Sequence, residues 1–144
     1  MSNNRKAPAA SNPRSGEPGW RMMLFGIAFA FVCEVLEAAA SVAYSSPAER
    51  LVSGLTGAGW ALLVGAAAYG IRQRARWSTP AGLVLSGLAL VLVPLSMMGQ
   101  ANAGAAQFTD VGITTALGWI KLAGYTGVVV GWGIGRFGKA TARA

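Results

Sequence analysis

Glu34 and Glu37 lie inside the apolar stretch FVCEVLEAAASVAY, residues 31–44, and Lys121 lies inside another apolar stretch near the far end of the chain. Carboxylates and an ammonium group in such surroundings can pair with one another, hold a cation or pass a proton. Glu34 and Glu37 are three residues apart, so on a helix they share a face. Ala30, Ala38 and Ser41 fall on or beside that face. Lys121 shares its own helical face with Thr114, Leu117, Gly118, Gly124 and Tyr125.

The elements that must position these groups are long and greasy. Of the 144 residues, 53% are hydrophobic and 12% are charged, against about 25% charged in an ordinary soluble domain. Such a chain has too little polar surface to cover a soluble globule, whereas lipid around its outer faces removes that need. Four apolar segments stand out, at about 20–44, 51–71, 81–99 and 111–135. Each reaches the roughly 20 residues that cross a hydrocarbon core. Strands of a membrane barrel would be shorter and would alternate in polarity. The expected fold is therefore all-α, an integral membrane bundle of four transmembrane helices spanning residues 20–136. Residues 1–19, rich in Ser, Asn, Pro, Gly and Arg, read as a disordered tail, and residues 137–144 as a short basic one. Ser45-Ser46-Pro47, Ser78-Thr79-Pro80 and Gly99-Gln100-Ala101-Asn102 read as the joints.

The formal charge of +7 is arranged along the chain. Lysine and arginine number four, one, three, none and three in the successive soluble segments, with Lys121 the twelfth. That alternation predicts a multi-pass protein of a cell membrane with both termini cytoplasmic. High Ala and Gly with short loops point to a bacterial inner membrane. An alternative is that residues 22–32 form a signal-peptide core, with Ser41-Val42-Ala43 as the cleavage site. Basic clusters flanking apolar runs argue against nucleic acid as a partner. Arg72, Arg74 and Arg76 read as topology-setting charges or as a cradle for lipid headgroups.

With this topology the three buried charges share a depth. At 1.5 Å per residue, Glu34 is about 18 Å and Glu37 about 22 Å from the cytoplasmic edge, and Lys121 is about 21 Å from the same edge. A charge at mid-bilayer costs about 2.5–3.5 kcal/mol. The spacing thus predicts that the first and fourth spans pack together, with Lys121 between the two acids and one carboxylate in surplus. Two roles are open: a buried ion cluster that fixes which helices touch, or a proton or cation site.

Gly127, Gly131 and Gly135 form a GxxxGxxxG run, and Gly57, Ala61 and Gly65 repeat that spacing. Small residues every four positions let another helix backbone approach closely. Pro94 inside the third span frees the Leu90 carbonyl, which Ser96 or a neighbouring helix can satisfy. Asp110 reads as a cap on the fourth span. The GWGIG at 131–135 follows no strand and is not a nucleotide fingerprint.

Cys33 is the lone cysteine and reads as a small buried apolar residue. The chain has no histidine, which removes the commonest metal ligand and the usual haem ligand. No cofactor, metal or enzymatic activity is expected. Cys33-Glu34-Val35 in a four-span chain resembles the first span of small multidrug-resistance transporters. In that family a membrane-embedded glutamate serves protons and cationic drugs alternately, in a dimer. Departures from the family are the second acid Glu37, the lysine at 121 and a third span without an aromatic-rich stretch. Two functions are expected. The first is an accessory or scaffolding subunit that meets a membrane-protein partner, or a second copy, through its glycine faces. The second is a small oligomeric proton- or cation-linked transporter or channel working through Glu34 and Glu37.

Overall fold

A computed structural model of the chain describes residues 17–44, 46–102 and 111–141. They form α1 (Glu17–Tyr44), α2 (Arg50–Arg72), α3 (Ser78–Asn102) and α4 (Val111–Thr141). Each helix packs on its neighbours in sequence, and α4 closes the ring by packing most closely on α1. Among the described residues, three helical stretches are long and apolar enough to cross a membrane: Pro18–Ala43, Arg50–Arg72 and Ser78–Met98. The last helix carries Lys121 and eight glycines among its 31 residues, which dilutes its apolar character.

Several boundaries differ from the sequence expectation. Helix α1 starts at Glu17, inside the segment read as tail, because Pro18 presets the backbone angle of a first helical turn. Helix α3 takes in Ser78-Thr79-Pro80, read as a joint, since proline is tolerated in the first turn, where its missing N–H would have no partner. The Ser78 hydroxyl donates to the Ala75 carbonyl at 2.7 Å and secures this start. The same helix runs on through Gly99-Gln100-Ala101-Asn102, and α4 runs on to Thr141. Residues 1–16, 142–144 and Asp110, for which a tail, a tail end and a cap were expected, lie outside the described residues. Pro94 sits within a continuous α3, and the Ser96 hydroxyl donates to Val93 at 2.8 Å, not to Leu90.

The distribution of bulk is inverted relative to a soluble bundle. Phe25 is 76% exposed and Leu62 73%, while the interior is built from Ala30, Ala61, Ala67, Ala89 and glycines around Ile27, Val64, Tyr125 and Val128. An outer surface of large apolar side chains belongs in an apolar medium or against a partner. Small residues inside let the helices come close. The closest approach joins α1 to α4. A Cβ added at Gly26 would stand 2.5 Å from the Gly124 carbonyl oxygen, and one at Gly131 would stand 2.7 Å from the Gly19 carbonyl oxygen. On the other side of α1, a Cβ at Gly57 would meet Ala38 and one at Gly65 would meet the Phe31 ring.

A methyl group at Gly26 therefore has nowhere to go, whereas one at Gly59 meets nothing within 4 Å. Gly26→Ala is expected to destabilise the fold by about 1–3 kcal/mol. Gly59→Ala is expected to stabilise it by about 1 kcal/mol through helix propensity. Thermal unfolding in detergent, followed by circular dichroism, checks the contrast.

Candidate functional site

The site lies where α1, α2 and α4 meet. Helix α1 brings Glu34 and Glu37, α2 brings Trp60, and α4 brings Lys121 and Tyr125, one turn apart. The α1–α4 glycine contact sits immediately beside them, since a Cβ at Gly124 would fall within 3.2 Å of Ala30. Backbones this close let the Tyr125 and Lys121 side chains reach across the seam.

Glu34 is 5% exposed and Lys121 is 6% exposed. The Glu34 carboxylate accepts the Tyr125 hydroxyl at 2.7 Å and the Trp60 indole N–H at 3.0 Å, both on Oε1. The Trp60 N–H also points at the Tyr125 hydroxyl oxygen, 3.2 Å away. Lys121 Nζ stands 3.4 Å from Glu34 Oε1 and 3.5 Å from Oε2, a loose ion pair. Its tighter contact is to Glu37, whose Oε2 accepts directly from Nζ. The two acids are thus unequal. Glu34 is buried and held by three donors, while Glu37 keeps 29% of its side-chain surface exposed and has Lys121 as its described partner.

Glu37 opens onto a cavity of about 490 Å³. Its walls follow α1 from Glu34 to Ser41, α2 from Trp60 back to Val52, and α3 from Ala89 to Ser96. The cavity therefore occupies the half of the bundle that ends in the α1–α2 turn. Ser41, Ser53, Thr56 and Ser96 add hydroxyls to an otherwise apolar lining, with Lys121 at the inner end. Two carboxylates and one ammonium leave a surplus negative charge when both acids are ionised. The chemistry available is acceptance of a proton or of a small cation, with Lys121 able to lean on Glu34 when Glu37 is taken.

Other residues singled out in the sequence fall elsewhere. Ala61 is buried, and Gly57 and Gly65 face α1 within the same chain. Gly127 and Gly131 also face α1, and Gly135 is approached by Gly19, although its own Cβ direction is open. Arg72, Arg74 and Arg76 lie at the opposite end, on the last turn of α2 and the turn to α3. Cys33 is buried as a free thiol. Trp60 and Tyr125 were missed as site residues. Their signal was faint: Tyr125 shares the Lys121 face, and both carry a polar atom that must find a partner when buried. No family model, curated protein or solved structure matches this chain, so the site is read from its own geometry.

Tyr125→Phe keeps the packing and strips one donor from a buried carboxylate, an expected loss of about 1.5–3 kcal/mol. Lys121→Met leaves the acids without a counter-charge, an expected loss of about 3–5 kcal/mol. Denaturation of the two variants in matched detergent measures both, and a smaller loss for Lys121→Met than for Tyr125→Phe would contradict the assignment.

Proposed function

We propose that the chain is a non-enzymatic, multi-pass membrane protein whose four helices all span the bilayer. Both termini are cytoplasmic, and the half-open cavity at Glu37 serves proton- or cation-linked transport. The observation that carries this reading is the inequality of the acids. A carboxylate held by three donors is a strut, whereas one that faces an open, hydroxyl-dotted cavity and shares its lysine with a neighbour can change partners. Protonation of Glu37, or a cation settling on it, releases Lys121 to Glu34. That gives the site two charge arrangements and a reason to carry a surplus acid. Placement of the three charged groups at mid-bilayer makes their mutual pairing the condition for inserting α1 and α4.

The reading as an accessory or scaffolding subunit rests on short loops and on glycine faces through which a partner could pack. Gly57, Gly65, Gly127 and Gly131 are instead turned toward α1 of the same chain. Docking in a larger assembly would use the open side of Gly135 or the outer apolar faces, such as Leu51, Leu55 and Leu62 on α2, which lipid alone can cover.

Glu37→Gln is expected to abolish ion-driven flux in proteoliposomes and to leave the unfolding midpoint near that of the parent. Glu34→Gln is expected to lower the midpoint. Flux that survives Glu37→Gln, or a stoichiometric membrane partner that dissociates on that substitution while no flux is found, would transfer the function to the accessory-subunit reading.

A further inference from the structure

The opposite end of the bundle holds a second crevice, of about 350 Å³, lined by Trp20, Met23, Thr79, Gly131, Trp132 and Arg136 among others. Its chemistry is the reverse of the first. Arg136 lies over the Trp132 ring, 5.4 Å from the centroid, and Arg74 lies over the Trp20 ring at 4.6 Å. Trp20 is itself fixed, since its indole N–H donates to the Ile71 carbonyl at 2.9 Å. A guanidinium lying against an aromatic face keeps its N–H edge for planar, two-pronged recognition of an oxyanion. Thr79 brings a hydroxyl from the first turn of α3, where the helix dipole also favours negative charge. Arg21 near the start of α1, Arg72 on the last turn of α2 and Arg76 in the turn to α3 lie at this end as well.

The backbone at Arg74 adds an independent observation. Helix α2 ends in a Schellman motif: Ala75 N–H donates to the Gly70 carbonyl at 2.9 Å and Arg74 N–H to the Ile71 carbonyl at 3.1 Å. The residue between, in the left-handed region, is Arg74, with φ of 55°. Glycine is the usual occupant of that position, because a Cβ there is unfavourable. An arginine in the glycine position sacrifices helix-end stability, and what it gains is a guanidinium delivered onto Trp20. A non-glycine residue in this conformation points to a use for its side chain. A topology-setting charge needs no such position, since any surface residue of the turn serves that purpose.

We propose that this crevice binds a phosphate-bearing anion against Arg136, with Trp20 and Trp132 as its walls and Arg74, stacked on Trp20 beside the lining, adding its charge from the margin. The anion is the headgroup of an anionic lipid or a small soluble phosphate ester. The inference is independent of the transport reading and stands or falls separately from it.

The test uses the full chain in nanodiscs. One arm counts phosphatidylglycerol retained from a phosphatidylglycerol–phosphatidylcholine mixture by native mass spectrometry. A second arm titrates glycerol phosphate by calorimetry into nanodiscs of phosphatidylcholine alone. Arg74→Gly is the informative variant, because glycine suits the helix end and should keep or raise the unfolding midpoint. Retention is expected to fall about fivefold in Arg74→Gly and in Arg136→Gln. In Arg76→Gln, outside the crevice, it should hold. Loss confined to the first arm identifies the lipid headgroup, and glycerol phosphate binding that Arg74→Gly removes identifies a soluble ester. Equal lipid retention together with equal glycerol phosphate binding in Arg74→Gly and the parent, no binding in either arm, or an equal loss in Arg76→Gln would overturn the proposal, the last by reducing it to diffuse surface charge.

Discussion

Gly26 and Gly124 allow two helix backbones to approach until a single Cβ would collide, and that approach decides what the charged side chains can reach. Were α1 and α4 separated by ordinary side chains, Tyr125 could not span the gap to Glu34. The glycine contact and the polar cluster are thus one construction. Glycines give the distance, and the polar groups give the contact its register. Dispersion between backbones favours many sliding positions nearly equally, whereas a carboxylate that must meet a hydroxyl, an indole N–H and an ammonium permits few of them. Retaining buried charge at a cost in stability is best attested where it sets such a register.

Within the cluster, neutral and charged donors divide the work. Tyr125 and Trp60 satisfy Glu34 from α4 and α2, so the most buried acid ties three helices together. Lys121 answers chiefly to Glu37, at the edge of the cavity. A partly exposed acid beside a buried one is the arrangement the proposed switch requires, because only one group would have to change partners. At the other end of the bundle, arginine–tryptophan pairs and an arginine in a left-handed turn make a surface of opposite sign. The two ends differ: Glu34 and Glu37 line the cavity toward the α1–α2 turn, and Arg72, Arg74 and Arg76 cluster at the α2–α3 turn.

Much of the helical layout was legible in the sequence because apolar length is a strong signal that needs no partner to be read. The joints were less so. Proline at Pro18 and Pro80 reads as a breaker in isolation, yet in a first turn it starts a helix, and only the neighbouring contacts tell the two apart. The shared helical faces of Glu34 with Glu37, and of Lys121 with Tyr125, could be counted from spacing alone. The roles of Trp60 and Tyr125 could not, because hydrogen bonds between residues 26, 65 and 91 positions apart depend on how three helices rotate about their axes. Gly19 and Gly26 stayed hidden for a related reason. Their partners on α4 are spaced to match them only once the crossing is known, whereas the regular runs at Gly57 and Gly127 declare themselves in one helix. Arg74 is a further case: its composition says only "basic loop", and its value lies in a backbone angle that no local pattern reveals.

Proximity of Lys121 to both acids is the central physical claim, and it is open to direct measurement in lipid. Solid-state NMR on protein labelled at the lysine ammonium nitrogen and the glutamate carboxyl carbons, in bilayers, reads the through-space coupling between them. Strong coupling from Lys121 to Glu37, weaker coupling to Glu34, and an ammonium signal slow to exchange with water are the expected result. An ammonium group that exchanges freely with bulk water and couples to neither carboxyl carbon would contradict it.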